Sequence, residues 1–487
     1  MTVQIVWFKK DLRIYDHTPL YEAAKRGQVL PIYIFEPALW QQPDMSLRHY
    51  SFLIECLREL NKDLKEIGQP LMIYTGDVLS VLDNLKREYN FNCLWSYQET
   101  GNDWTYQRDR RVGRWIKQQG LTWYQPQQHG VIRCLKNRNA WANKWYEFMK
   151  KPPLSPPMLQ RVAKPVKVVP SAEQLGLNDD HCDQRQIGGR SQALTLVKTF
   201  LEKRGQQYTK KMSSPTTAFE SCSRLSPYIT FGCISMREVF HAVTAKEREL
   251  FSLSVTQKNT WPSSLRSFSS RLRWHCHFIQ KLEDQPSMQF IALHPAHHDI
   301  RPRQDNQHFL NAWKTGHTGF PMIDACMRCL MVTGWLNFRM RAMLISFASH
   351  HLWLHWQEPA LHLARLFTDY EPGIHYSQIQ MQSGSTGINT IRIYNPIKQG
   401  FEQDPKGKFI RAWLPELESV PDELIHTPWD MDQPPGNYPA PIIDEALSRK
   451  AAADILYGLK KGQGYKEAAQ QIVEKHTSRK KAIPKPG

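Results

Sequence analysis

The sequence predicts an α/β domain built on a parallel, Rossmann-like sheet, followed by an all-helical C-terminal domain. Three observations predict it. Short apolar runs alternate with amphipathic helical patterns early in the 487-residue chain, strand signals fade from Ser191 onward, and a proline-rich aperiodic stretch separates the two regimes. A chain of this length also exceeds one compact core. We expect domains over residues 1–135 and 196–487, with the second ending in a basic tail, joined by a linker over 136–195.

The strands come first. VQIVWF, VLPIYIFEP, PLMIYTGD, NCLWSYQE and LTWYQPQQ are short runs rich in β-branched and aromatic residues. Between them, SFLIECLRELNKDLKEIG and VLSVLDNLKREYN repeat apolar residues every three or four positions, the spacing of one helix face. This alternation is that of a parallel sheet covered on both sides. A ligand cleft belongs at the carboxyl ends of such strands, but there is no GxGxxG and no Walker A loop, so an ordinary dinucleotide or ATP site is not supported. Gln98, Glu99, Arg108 and Asp109 follow the fourth strand and are placed to line that cleft, although we expect them to be solvated loop charges.

Residues 151–190 combine prolines, charges and a Gly-Gly pair without periodicity, and read as a linker. Helices dominate from SQALTLVKTFLEKRGQQY onward, no internal repeat is visible, and SRKKAIPKPG at the end reads as a frayed basic tail.

Composition narrows the function classes. Lys and Arg number 63 against 46 acidic residues, a formal charge of +17, which favours a polyanionic partner such as nucleic acid. No apolar run is long enough to span a bilayer and no basic amphipathic helix stands out, so no membrane partner is expected. MTVQIVWFKK lacks the features of a signal peptide, and the nine cysteines show no framework spacing. Both point to the cytoplasm. Cys326-Met-Arg-Cys329 and His275-Cys276-His277 raise the question of a metal or iron–sulfur site. No second CxxC pairs with the first and the motif falls mid-helix, so we expect none.

Candidate chemistry concentrates in Trp313–Pro396. Asp324, Arg328, Met331 and Trp335 are spaced four, three and four apart, which places an ion pair, a thioether and an indole on one helical face, and Thr333-Gly334 reads as its stop. A second helix carries Asn337 and Arg341 one turn apart. A buried Arg341 needs a partner, and Asp369 in FTDYEPG is a downstream carboxylate that could meet it, although an ordinary core helix with an internal salt bridge has the same pattern. In SCSRLSPYITFGCIS, Ser221, Ser223 and Ser226 with Arg224 precede an apolar stretch. Hydroxyls, helix-start amides and a guanidinium are what a buried diphosphate needs, while serine helix caps explain part of the same pattern. In SSRLRWHCHFIQKLED, Arg271 and Trp274 lie one turn apart beside His275 and His277, an arrangement suited to a flipped base, with a core tryptophan as the alternative.

Together these motifs resemble the photolyase/cryptochrome family of flavoproteins. WFKKDLRIYDHTPL is similar to that family's first strand and turn and SRLSPYITFGCIS to its flavin-phosphate loop. KTGHTGFPMIDACMRCLMVTGW with RIYNPIKQGFEQDPKGKFIRAWLPEL is similar to its flavin-domain signature. The resemblance implies that the helical domain holds FAD folded into a U. It implies a second, antenna-type chromophore of folate or deazaflavin type in the N-terminal domain, and damaged DNA as the partner of a monomer. Tyr208, Ser223, Leu225 and Ser226 match flavin-diphosphate positions, with Cys222 replacing the usual threonine. Arg224, Asp324 and Asn337 join them as cofactor-binding candidates. Arg341 and Asp369 match the ion pair near flavin N5, and Glu371 a second acidic position. The resemblance gives Arg341, Asp369, Trp274 and Asn337 catalytic roles. Trp313 and Trp356 match members of a photoreduction chain, and Lys211, Arg271, Trp274, Leu336 and Gln399 fall at substrate positions.

The sequence also departs from the family. Arg271 stands where a glutamate is common, Asn337-Phe338 where His-Asn is common, and DYEPGIHYSQIQMQSG has no tryptophan for the flavin-proximal carrier or the second cavity wall. Tyr376 is the nearest aromatic substitute for that carrier.

Overall fold

The computed structural model describes residues 3–178, 180–303 and 306–477. Its N-terminal part is a wholly parallel sheet of β1 Val3–Phe8, β2 Gln28–Phe35, β3 Met72–Thr75, β4 Cys93–Trp95 and β5 Thr122–Tyr124, in the order β3-β2-β1-β4-β5. Each lies within a run expected to be a strand, except that β2 starts one residue earlier, at Gln28. The twofold alternation of side chains sorts them into two cores. Val6 and Phe8 join Phe52, Leu57, Leu60 and Leu64 of helix Leu47–Glu66. Ile5 and Trp7 join Leu82 and Leu85 of helix Val78–Tyr89 and Val112 and Trp115 of helix Asp103–Gln118. With both faces covered, the strands are apolar almost throughout.

Strand order reverses beside β1, and the cleft expected at such a switch point is packed with charge. Arg108 bonds Glu36 and Asp109, each at 2.9 Å, and also Glu99; Lys9 reaches Glu99 at 3.1 Å and Asp109 at 3.2 Å. Both cations lie over the Trp7 ring, at 4.8 and 4.9 Å. Glu99 and Arg108 were expected in solvent, and the structure corrects this: both are buried. Burial opposes the charge on Glu99, but Arg108, Lys9 and Lys10 outweigh it and hold the carboxyl down at about 2. Sequence alone hides this network because its members come from three separate strand ends and one helix.

Residues 136–195 contain helix Trp141–Lys150, which buries Trp141 and Trp145. Beyond it the chain runs mostly without regular structure but is pinned. Val166 and Val168 exchange backbone hydrogen bonds with Ile73, at 2.8 and 3.0 Å, so this stretch covers the otherwise open edge of β3. Asp180 accepts from Arg48, a fully buried residue of helix Leu47–Glu66. Arg48 also donates to the carbonyls of Leu330, Met331 and Leu366, at 2.7 to 3.2 Å. Those carbonyls end helices Pro321–Thr333 and Gln357–Leu366, where the helix dipole favours a cation. One guanidinium therefore ties the sheet domain to two helices of the other half.

The C-terminal half is helical, with the long helix Trp261–Asp284 packed along Pro372–Gln382. Helix Pro321–Thr333 stops at Gly334, whose φ of +66° suits glycine. The expected Asp324–Arg328 pair along this helix does not form. Asp324 instead accepts from the Thr318 backbone and hydroxyl, the Gly319 N–H and the Tyr438 hydroxyl, at 2.7 to 3.0 Å. Arg328 pairs with Glu416 at 2.7 Å. Trp335 lies beyond the helix end, against Phe219. The basic segment 478–487 lies outside the described residues.

Candidate functional site

Helix Phe338–Ser346 begins immediately after Asn337, which donates to the carbonyls of Met212 and Ser213, at 3.2 and 2.6 Å. This fixes the helix start against the chain that follows Tyr208. Arg341, one turn on, meets Asp369 through two parallel bonds of 2.9 Å and donates its Nε to the Leu336 carbonyl at 2.7 Å. The pair is largely buried, with Asp369 at 4 % and Arg341 at 24 % side-chain exposure. The fork-to-fork geometry is the strong form of such a pair. Asp369 is positioned from below: Thr368 N bonds the Gly334 carbonyl at 3.0 Å, and a Cβ on Gly334 would stand 2.2 Å from the Thr368 hydroxyl. Glycine is required there by both space and φ.

The SCSRLS segment brings more cations. Arg224, itself at φ +60°, lies over Trp335 and Phe219, at 4.2 and 4.6 Å, and donates to Gln186 at 3.2 Å. Burial drags its guanidinium down to about 10, against the opposing pull of Asp369. Arg204 donates to the carbonyls of Cys222, at 2.5 Å, and Leu196, at 3.0 Å. The Arg271 cation acts on the buried Tyr208 hydroxyl, against the upward push of burial. Among the described residues, Arg204, Arg224 and Arg271 have no carboxylate within ion-pairing distance. All three, with Arg341, act on the Cys222 thiol, which desolvation nevertheless pushes up to about 12.

This arrangement fits a diphosphate-bearing cofactor. A cluster of half-buried guanidiniums with one carboxylate between them carries a cost that a bound anion offsets. Two buried oxygens next in sequence to the pair's elements, Asn337 Oδ1 and Thr368 Oγ1, also have no hydrogen-bond partner among the described residues. Ser223 and Ser226 are half-buried on the same segment, with Ser226 opening the short helix Ser226–Thr230, and Leu225 is buried between them.

Other candidates fall elsewhere. Asp324 was expected to bind cofactor, but its four hydrogen bonds within the protein occupy the acceptor sites of its carboxylate. Leu336 was expected at the substrate surface, but its side chain is 1 % exposed and belongs to the core. The charges that act on Glu371 are those of Lys10 and Glu99, and it makes no ion pair with Arg341, whose carboxylate partner is Asp369. Burial pushes the Glu371 carboxyl up to about 7, and one of its oxygens has no partner. Gln399 is buried and accepts from Arg339 at 3.2 Å, whereas Lys211 is exposed. Trp274 is 42 % exposed.

Trp313 is fully buried beside His362. Trp356 and Tyr376 line a cavity of about 530 Å³ between the two halves, walled also by Asp44, Trp104, Gln289 and Phe290. A second cavity, over the charge network at the sheet ends, measures about 60 Å³. Sequence reasoning missed Arg204, Gln186, Asp44 and Tyr370. Arg204 lies one turn before Tyr208, a spacing that was available as a signal. The Tyr370 hydroxyl bonds Asp44 at 2.7 Å across 326 positions, which no local pattern reveals.

Comparison with known proteins agrees with this geometry. Residues 4–148 match the DNA photolyase family model, and residues 268–457 match the FAD binding domain of DNA photolyase. The deoxyribodipyrimidine photo-lyase of Salmonella typhimurium is 27 % identical over 95 % of this chain and 100 % of its own. Cryptochrome-2 of Arabidopsis thaliana is 30 % identical over 93 % of this chain and 80 % of its own. The crystal structure of a bacterial class III photolyase from Agrobacterium tumefaciens superposes with a TM-score of 0.82 at 24 % identity, covering 95 % of this chain and 98 % of that one. With a parallel-sheet domain ahead of a helical FAD-binding domain, and relatives matched along nearly its whole length, the chain belongs to the photolyase/cryptochrome family.

Proposed function

We propose that the protein is a light-driven, FAD-dependent DNA photolyase, a deoxyribodipyrimidine-type carbon–carbon lyase that reverses pyrimidine dimers by electron transfer to a flipped-out lesion. The observation that carries this reading is half-buried positive charge with no carboxylate partner among the described residues, Arg204, Arg224 and Arg271 around Cys222, beside the matched pair Arg341–Asp369. FAD, when bound and reduced, supplies the light-excitable electron donor. The residues around it have separable tasks. Tyr208, Ser223, Arg224, Leu225 and Ser226 are assigned to the diphosphate. Arg341 is assigned to the flavin N5 edge, where a cation in a poorly solvating pocket stabilises an anionic neighbour. Asp369 holds that guanidinium in plane. Asn337 spends its N–H groups on backbone carbonyls and keeps its oxygen for a ligand donor.

Trp274 offers a stacking face to a flipped base, with Lys211, Arg271 and Gln399 beside the strand. Trp313, Trp356 and Tyr376 are assigned to electron supply, with Tyr376 standing where the helix Pro372–Gln382 has no tryptophan. A second chromophore, of folate or deazaflavin type, is assigned to the interdomain cavity. About 530 Å³ lies within the usual range of about 300–1,000 Å³ for ligand pockets, and about 60 Å³ does not. DNA is the partner, the protein acts as a monomer, and the nine free thiols suit a reducing cytoplasm.

The alternative is a cryptochrome-like photoreceptor without repair. Arg271 in the lesion cavity, where repair enzymes of the family commonly carry glutamate, favours it. The deciding experiment is illumination of the reduced flavoprotein with oligonucleotides carrying one cyclobutane dimer or one (6-4) photoproduct. Restored pyrimidines support the photolyase reading, and no product from either substrate overturns it in favour of the photoreceptor.

A further inference from the structure

A buried cluster of titratable groups, none of them assigned above, forms where the end of helix Trp261–Asp284 meets helix Tyr465–His476 and Arg138 of the connecting segment. Arg138 is buried. It donates its Nε to Asp284 at 2.8 Å and its Nη1 to His277 Nδ1 at 3.3 Å, but its Nη2 has no partner among the described residues. His476 is fully buried and donates its Nε2 proton to the Gln285 side-chain carbonyl at 2.8 Å. That tautomer leaves a lone pair on Nδ1, which is also without a partner among the described residues. Lys281 lies one turn beyond His277, 7 % exposed, with its amine 5.5 Å from the Phe278 ring and no ion pair among the described residues. The charges of Arg138 and Lys281 both act on His277 and His476. Burial and then Arg138 pull the Lys281 amine from its ordinary 10.5 down to about 8. Desolvation beside a second cation is how a lysine becomes a nucleophile at neutral pH.

We propose that Lys281 is a carbamylation site, at which its amine adds carbon dioxide, with the carbamate held by Arg138 Nη2 and the released proton by His476 Nδ1. The amine lone pair forms a C–N bond to the carbon, one C=O π bond opens to put the negative charge on oxygen, and the N–H proton of the adduct passes to the imidazole. One CO2 is consumed and nothing is oxidised or reduced. The product uses both unpartnered atoms, an N–H that lacks an acceptor and a lone pair that lacks a proton, each of which is otherwise a cost of burial. The choice of CO2 follows from access and charge. A nearly buried amine excludes bulky acyl donors, whereas CO2 is small and uncharged. The nearby acidic groups are already engaged, Asp284 by Arg138 and Glu283 by Arg133, so a new anion meets cations. Once formed, the carbamate ties the connecting segment, through Arg138, and helix Tyr465–His476, through protonated His476, to helix Trp261–Asp284.

The test is carbon-13 NMR of the flavin-loaded protein in the dark, in neutral buffer equilibrated with labelled bicarbonate at fixed ionic strength. Wild type should show a carbamate resonance beyond that of the N-terminal amine. Lys281→Arg should lose it, because a guanidinium does not add CO2. Arg138→Gln should need about 10-fold more dissolved CO2 for equal occupancy, the share of one charge-assisted hydrogen bond. Bicarbonate should raise the melting temperature of wild type by about 1 °C relative to chloride, and leave that of Lys281→Arg unchanged. Flavin absorbance verifies the folding of each variant, and Lys281→Met takes the place of Lys281→Arg if the latter does not fold. Wild type without the extra resonance, or a resonance that survives in the Lys281 variant, overturns the site. Unchanged CO2 dependence in Arg138→Gln overturns the seat assigned to the carbamate.

Discussion

Replacing Arg224 by methionine should move two properties in opposite directions. Burial holds this guanidinium at about 10, against its ordinary 12.5. Each tenfold loss of proton affinity is worth about 1.4 kcal/mol, so carrying the charge costs the flavin-free protein about 3 kcal/mol. Neutral pH lies below both values, so the whole cost is present there. Methionine removes it and gives back about 1 kcal/mol of cation–π contact with Trp335 and Phe219. A further loss of about 1 kcal/mol follows from the hydrogen bond to Gln186. The flavin-free variant should therefore be more stable than wild type by about 1 kcal/mol, read as a higher urea midpoint of tryptophan fluorescence. Flavin binding should weaken by about 10- to 100-fold, because a charge-assisted bond to phosphate is worth about 1.5–3 kcal/mol. Titration of stripped protein with FAD measures this. A variant that is less stable without flavin, yet binds flavin as wild type does, would refute the idea that Arg224 waits for an anion.

Three other perturbations follow from the same geometry. Glu371 is raised by burial to about 7, above its ordinary 4.5. Its contribution to stability is therefore present below about pH 4.5 and lost as pH rises toward 7, up to about 3 kcal/mol. Glu371→Gln should remove that decline, and parallel pH profiles of the melting temperature in wild type and variant would sink the assignment. Arg48→Ala leaves Asp180 and three helix-end carbonyls without their donor, and should destabilise by about 3–5 kcal/mol in chemical unfolding, with Arg48→Lys failing to restore the forked contacts. Gly334→Ala places a methyl 2.2 Å from the Thr368 hydroxyl at a φ of +66°. It should cost about 2–4 kcal/mol and loosen flavin through the displaced Asp369, so full flavin occupancy at wild-type stability would count against that linkage.

Local patterns were readable where the physics is local. The five strands announce themselves through β-branched and aromatic runs, and the helix at Pro321–Thr333 through its spacing and the glycine that stops it. The partner of Arg341 was legible because a largely desolvated guanidinium demands a carboxylate and Asp369 in FTDYEPG is one that follows within thirty residues. The same reasoning failed for Asp324 and Arg328. Their spacing permits a pair, but Thr318, Gly319 and Tyr438 compete for Asp324, and Glu416 competes for Arg328. Periodicity cannot weigh a partner more than 80 residues away.

What the sequence determined by itself is the order of the two architectures, the basic surface charge and the chemical kinds of residue available to the site, because all of these are set by composition and short-range spacing. Tertiary structure alone decided which charges are buried, which cations lack a carboxylate partner among the described residues, and that Glu371 is buried while Phe338 is exposed beside Arg271. Charge burial depends on neighbours drawn from distant segments, and the free energy of an ion is set by those neighbours far more than by its own residue type.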